Sequence, residues 1–318
     1  MNTANRSFVL VVTTAAAPYG LLFLAGCGFR AYVTDRVADY GVSALGHGLL
    51  LPLTAMVTLL LAGAAAGAVS LARQLSATRR LGEHVDRNRM TPPWGTPAGV
   101  EVVNHDEPFA FTFGLAAPRI AVSRGLVEQL STEELEAVVA HERYHVRACD
   151  PLKLVVARTA AWMCFFLPAV GDLVTRYLAG RELAADRRSV RDLGRPALAG
   201  ALFKAVGGSG WDELGIAAAM ADPELLEARV AQLERGTEPL LPRLPLAPVV
   251  LSALVLGALA LTVLAAALQG GASMMSSGPN GALSGSDVVG VAVGGLVCAA
   301  GWVWLATFAF GRLVRPSP

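Results

Sequence analysis

Charge is what this sequence has least of. Only 16% of its 318 residues are Asp, Glu, Lys or Arg, where a soluble domain carries about a quarter. The net charge is +1, and no basic stripe interleaved with aromatics occurs, which argues against direct contact with nucleic acid. Cysteine is sparse too: Cys27, Cys149, Cys164 and Cys298 form no CxxC pair, so neither a disulfide framework nor a zinc ribbon is expected. Cys27 and Cys298 lie in apolar runs and read as small hydrophobes, and Cys149 reads as a packing residue. No internal repeat is found.

Apolar sequence is what the chain has instead, at 54% of residues. A helix crossing the hydrocarbon core needs about 20 such residues. Four stretches qualify: Ser7–Phe29, Leu49–Leu71, Pro245–Leu268 and Val288–Gly311. The first is too long for a signal peptide and is followed at once by a second, so it reads as an anchor. Arg6, Arg73, Arg79, Arg80, Arg87, Arg89, Arg312 and Arg315 flank the spans on one side. The intervening loops are balanced (Arg30 and Arg36 against Asp35 and Asp39) or uncharged. By the excess of cytoplasmic Lys and Arg, both termini and the central region are expected in the cytoplasm of a multi-pass cell-membrane protein. "TAAWMCFFLPAVG", Thr159–Gly171, is too short to span and reads as a buried core helix or a membrane-touching segment.

The expected division is residues 1–72 with two spans (about 8–29 and 49–71), a peptidase domain over 73–244, and 245–318 with two more (about 245–268 and 288–311). Residues 73–98 read as a linker. "GVEVVN", "EPFAFTFGL" and the start of "PRIAVSRGLVEQL" read as strands. Ser131 with Glu134 three residues on is a capping box that opens a helix. Residues 173–193 and 223–235 read as further helices. The fold class is thus a small α+β domain between two pairs of spans.

Within that helix stands "HERYH", residues 141–145. His141 and His145 are one turn apart on one face, so both imidazoles can reach one Zn²⁺. Glu142 lies beside the metal's open position, where it can take a proton from a water made acidic by the metal. A chance HExxH is expected in roughly one chain of this length in three hundred. A catalytic zinc needs a third ligand. "GRELAADRR" offers Glu182 as ligand and Asp186, one turn on, as acceptor from a ligand histidine. Asp150 and Asp172 are weaker candidates, and Asp150 reads as a helix end before Pro151. A residue that stabilises the transition state is not identified: Tyr177, Arg181 and His105 are candidates for which structural roles fit better. "PFAFTFG" is either an edge strand that pairs with substrate or an ordinary central strand.

"PFAFTFGLAAPRIAVSRGLVEQLSTEELEAVVAHERYHVRACDPL", then "RELAAD", then "LEARVAQL", resembles the BlaR/MecR antirepressor family of membrane zinc metallopeptidases over roughly residues 100–235. HtpX-type and CAAX-prenyl endopeptidases are similar but more distant; in those, long apolar hairpins separate the histidines from the glutamate, whereas 36 residues do so here. The resemblance implies a zincin-like domain, Zn²⁺ on His141, His145 and Glu182, Glu142 as base, Asp186 behind a ligand, and a cytoplasmic repressor as polypeptide substrate. Two departures stand out. The sequence stops at Pro318, so the expectation is that no penicillin-binding sensor follows the last span. Asp222 stands where an HtpX-like element has histidine. The alternatives are an HtpX-like quality-control protease and a catalytically silent receptor. The lipid bilayer is a partner, and a homo-oligomer is left open.

Overall fold

A computed structural model of the protein describes residues 3–40, 50–206, 223–237, 239, 241 and 243–276. The expected fourth span, 288–311, lies outside them, as do Asp222, Cys298 and most of the loop expected before that span. The described residues fall into two units. The first comprises those within Met1–Phe8, Val69–Thr159 and Val174–Pro242, and the second those within Val9–Ala68, Ala160–Leu173 and Arg243–Pro318.

In chain order the elements are α1 (Thr3–Tyr40), α2 (Leu50–Asn88), β1 (Arg89–Met90), β2 (Val100–Val103), β3 (Ala110–Phe113), β4 (Arg119–Ser123), α3 (Arg124–Gln129), α4 (Thr132–Ala148), α5 (Asp150–Met163), α6 (Pro168–Leu193), α7 (Arg195–Val206), α8 (Pro223–Arg235) and α9 (Leu246–Ser276).

Two described helices, Leu51–Asn88 and Leu246–Ala266, are long and apolar enough to cross a membrane. In the second unit Leu53, Met56, Leu60, Leu259 and Ala266 form a core joined by Tyr19 and Phe166. Leu51, Leu61, Leu254, Leu261 and Leu268 are exposed, an apolar surface that suits lipid better than water. Gly63 lets the backbones close up: a Cβ there would lie 2.2 Å from the Met163 carbonyl oxygen. The Tyr19 hydroxyl donates to that same oxygen at 3.0 Å.

Two expectations fail here. Residues 73–88 are not linker, because α2 continues through them. Its Arg, Gln, Leu and Ala content favours helix, and Val85 and Leu81 gain a buried face against Phe109, Phe111 and Phe113. At about 1.5 Å per residue α2 is about 58 Å long, roughly twice the hydrocarbon thickness. Of the two readings of Thr159–Gly171, the single core helix fails as well. The segment is the end of α5, a turn, and the start of α6, since Pro168 lacks the N–H to continue a helix but suits the opening of the next. Cys164 and Leu167 are buried there, while Trp162 and Phe165 are exposed.

In the first unit the four strands order β1-β2-β4-β3. β2 and β4 are parallel, with Val102 opposite Val122. β3 runs antiparallel to β4, with Thr112 opposite Ile120, and is the edge of the described sheet. One face packs Val100, Val102, Ile120 and Val122 against Leu126 of α3 and Leu135 and Val139 of α4. The other packs Val103, Phe111, Phe113 and Ala121 against Val85. Alternation along β3 sends Phe111 and Phe113 to one face and leaves Thr112 for the other. α4 opens on the expected capping box, Ser131 and Glu134 each bonding the other's backbone N–H, and Lys204 of α7 pairs with Glu134 at 2.6 Å.

Candidate metal centre

α4, α6 and α8 carry most of the buried polar groups of the first unit. Ser189 of α6 donates to the Ala137 carbonyl of α4 at 2.7 Å, and Gln232 of α8 donates to the Leu183 carbonyl at 2.9 Å. Ala137 and Ala185 have no exposed surface; side chains this small let the helices approach.

His141, His145 and Glu182 converge, all three buried. The two Nε2 atoms are 3.2 Å apart. Glu182 Oε2 is 3.3 Å from His141 Nε2, and its Oε1 is 3.7 Å from His145 Nε2. Ligands about 2.0–2.1 Å from a tetrahedral zinc lie about 3.3 Å from one another, so the spacing fits a zinc ion. The far nitrogens support the same reading. His141 Nδ1 is 2.8 Å from Asp186 Oδ1, and His145 Nδ1 is 2.7 Å from Asp150 Oδ2. His145 Nδ1 is hydrogen-bonded to Asp150 and His141 Nδ1 faces Asp186, which leaves both Nε2 atoms toward Glu182, as metal-ligating histidines require.

Asp150 corrects an expectation. It does not end α4; it begins α5. The C-cap is Cys149, in the left-handed region at φ 53° and with its N–H bonded back to His145 and Val146. That single reversal turns the chain so that the next carboxylate lands on His145. Cys149 is exposed, not packed.

Two further residues act on this cluster without having been singled out. Arg229 of α8 forms a two-pronged contact with Asp186, at 2.7 and 2.8 Å. Its signal was legible: Leu225, Arg229 and Leu233 share a helical face and are all buried, so a cation sits on an apolar stripe. Thr112 of β3 donates to Glu142 Oε2 at 2.7 Å and lies 3.1 Å from the Glu142 carbonyl oxygen. Only its alternation with Phe111 and Phe113 hinted that it faced α4.

The other candidates are placed elsewhere. Arg181 donates to Glu182 Oε1 at 2.6 Å, and the Tyr177 hydroxyl donates to Asp150 Oδ1 at 3.3 Å; both serve carboxylates of the cluster. His105 lies in the turn before β3, its Nδ1 accepting from the Glu107 N–H. Asp172 lies in the second unit. Neither joins the metal-ligating group found among the described residues.

The electrostatics of the cluster are set by its buried carboxylates and the cations beside them. Burial pulls the His141 pKa down, but Asp186 and Glu182 outweigh it and raise it to about 9. His145 is likewise raised, by Glu182 and Asp150 against burial. Burial would raise Glu182, yet Arg181 and the two histidines hold it well below the usual carboxylate range. Arg229 and His141 keep Asp186 low against burial in the same way.

A family model described as BlaR1 peptidase M56 matches residues 49–233. Among curated proteins, "Protease HtpX" of Acinetobacter baumannii (strain AYE) is 42% identical over 65 residues, covering 20% of this chain and 22% of its own length. "Protease HtpX homolog" of Nitrosomonas eutropha is 29% identical over 192 residues, 54% of this chain and 63% of its own. "Protease HtpX homolog" of Methanothermobacter thermautotrophicus is 30% identical over 125 residues, 31% of this chain and 48% of its own. The chain thus spans less than two thirds of the length of each. No solved structure matches.

Proposed function

Because the chain belongs to the BlaR1 peptidase M56 family, matched over residues 49–233, we propose that it is a membrane zinc endopeptidase. The observation that carries this is the meeting of His141, His145 and Glu182 beside a Glu142 carboxylate held by Thr112. His141, His145 and Glu182 would hold the zinc. The ion, when bound, supplies Lewis acidity toward the scissile carbonyl and makes water a nucleophile near neutral pH.

The chain's own residues do the rest. Asp186 and Asp150 fix the tautomers of the two histidines. Glu142 takes the proton of the attacking water and passes it to the leaving amine. Thr112 orients that carboxylate. β3, at the sheet edge, offers backbone N–H and C=O groups to an extended substrate, as in strand addition.

The membrane reading has four spans, α1, α2, α9 and 288–311, with both termini and the first unit on the cytoplasmic side. It is supported by the arginines flanking these segments. The substrate would then be a cytoplasmic polypeptide, and the antirepressor resemblance makes a transcriptional repressor the first choice. Cleavage near its dimerisation region would release it from DNA, since a monomer loses half the phosphate contacts. A second reading, membrane-protein quality control, is favoured by the HtpX name that the curated relatives bear. The test compares the cytoplasmic and membrane proteomes of cells carrying wild type or Glu142→Gln. One cleaved regulator, absent with the variant, is expected; damaged membrane proteins accumulating while every regulator stays intact would select quality control.

A further inference from the structure

The helices that bear the metal ligands have a second, basic side. On α4, Arg147 is two residues past His145, about 200° around the helix. On α6, Arg187 is five past Glu182, about 140° around. These two, with Lys153 of α5 and Arg188 and Arg191 of α6, line a cleft of about 540 Å³. None of the described residues lining it is acidic. Arg188 pairs with Asp192, just outside, at 3.0 Å. Lys153, Arg187 and Arg188 are half-buried, so their fields are less screened than those of freely solvated cations. With Arg188 matched by Asp192, Arg147, Lys153 and Arg191 still leave the concavity positive, which a bound anion relieves.

Position identifies the anion. Lys153 Nζ is 3.1 Å from the Asn5 side-chain oxygen and stands 5.9 Å from the centre of the Phe8 ring. Asn5 lines the cleft and stands two residues before the apolar run, which begins with Ser7 and Phe8 after Arg6. The cleft therefore adjoins the polar end of α1, where a bilayer's phosphates would lie if α1 is a span. We propose that this cleft binds the phosphate of an acidic phospholipid headgroup, with Arg147 and Arg191 as its donors and Lys153 at the side nearest the start of α1. The cleft also takes a bidentate approach well: arginine forks match phosphate oxygens in pairs. The proposal rests on the reading above that α1 enters the bilayer.

The test uses full-length protein in a neutral detergent and a soluble short-chain phosphatidylglycerol, with phosphatidylcholine of the same chains as the control and adducts counted by native mass spectrometry. Wild type is expected to retain phosphatidylglycerol preferentially. Arg147→Gln with Arg191→Gln, both exposed and on different helices, should weaken it about 25-fold, at about fivefold per cation. Lys153→Gln alone should cost about fivefold by the same reckoning and serves if the double variant fails to fold. Equal retention of both lipids, or of phosphatidylglycerol by wild type and variants, would overturn the proposal. So would displacement of the lipid by inorganic phosphate or a glutamate-rich peptide at equal concentration. Short-chain lipid reaches the cleft whether or not α1 inserts. Insertion is read separately, by protection of a Val12→Cys thiol from a water-soluble reagent, so the two failures are told apart.

Discussion

Removing the Asp186 carboxylate should damage the protein in two separable ways. Asp186 has no exposed surface and stands between His141 at 2.8 Å and Arg229 at 2.7 Å. The Arg229 side chain is only 8% exposed. In Asp186→Ala that guanidinium stays buried with its carboxylate gone, a change that costs about 3–5 kcal/mol. For a unit of this size each kcal/mol lowers the melting temperature by about 2–4 °C, so a fall of roughly 6–20 °C is expected. The double substitution Asp186→Leu with Arg229→Met removes both charges at similar volume and should recover most of that loss. It does not give His141 Nδ1 an acceptor. Zinc affinity in the double variant should therefore stay about 10–100-fold below wild type, although stability has returned. Thermal unfolding of the metal-free forms, followed by zinc competition against a chelator, measures both. Asp186→Ala melting within about a degree of wild type would refute the buried-charge argument. A double variant with wild-type zinc affinity would refute the orienting role of Asp186.

Glu142→Gln should keep the fold and the zinc yet lose at least about a hundredfold in peptide hydrolysis; activity within a few-fold of wild type would move the base elsewhere. Glu182→Ala should lose zinc on dialysis, and full retention in metal analysis would remove Glu182 from the ligand set. In the metal-free protein His141 is raised from 6.5 to about 9, so its stabilisation is complete below about pH 6.5 and vanishes as the pH rises through about 9. The metal-free form should accordingly melt lower at pH 9.5 than at 6.5. Zinc binding at pH 7 should release protons, with a measured heat that depends on the buffer; a buffer-independent heat would contradict this. In a cysteine-free background, single cysteines near Arg36 and Asn280 should label from outside and those near Arg80 and Glu234 only after permeabilisation.

The metal cluster was legible because its parts are local. His141, Glu142 and His145 follow helical spacing within one turn, and Glu182 and Asp186 repeat that spacing on α6. The capping box fixed the start of α4 for the same reason. Contacts that cross elements were less legible. Thr112 reaches Glu142 only because β3 lies against α4, and its place at the edge depends on the β2–β4 pairing inserted ahead of it. Asp150 was misread because a non-glycine residue at positive φ is uncommon, so Pro151 was taken as a helix stop when it sits in the first turn of α5. The helical extension of α2 was missed since its charged stretch buries only one narrow face.

Between the proposed ligands His145 and Glu182 lie 36 residues, and everything between them leaves α4 at Cys149 and returns on α6. An ion held by both ends is therefore a staple as well as a reagent. A covalent bridge closing a loop of that length removes enough freedom from the unfolded chain to be worth about 4 kcal/mol. On the proposed function, withdrawing the ion would silence hydrolysis and, in the same act, untie the loop that contains the whole of α5.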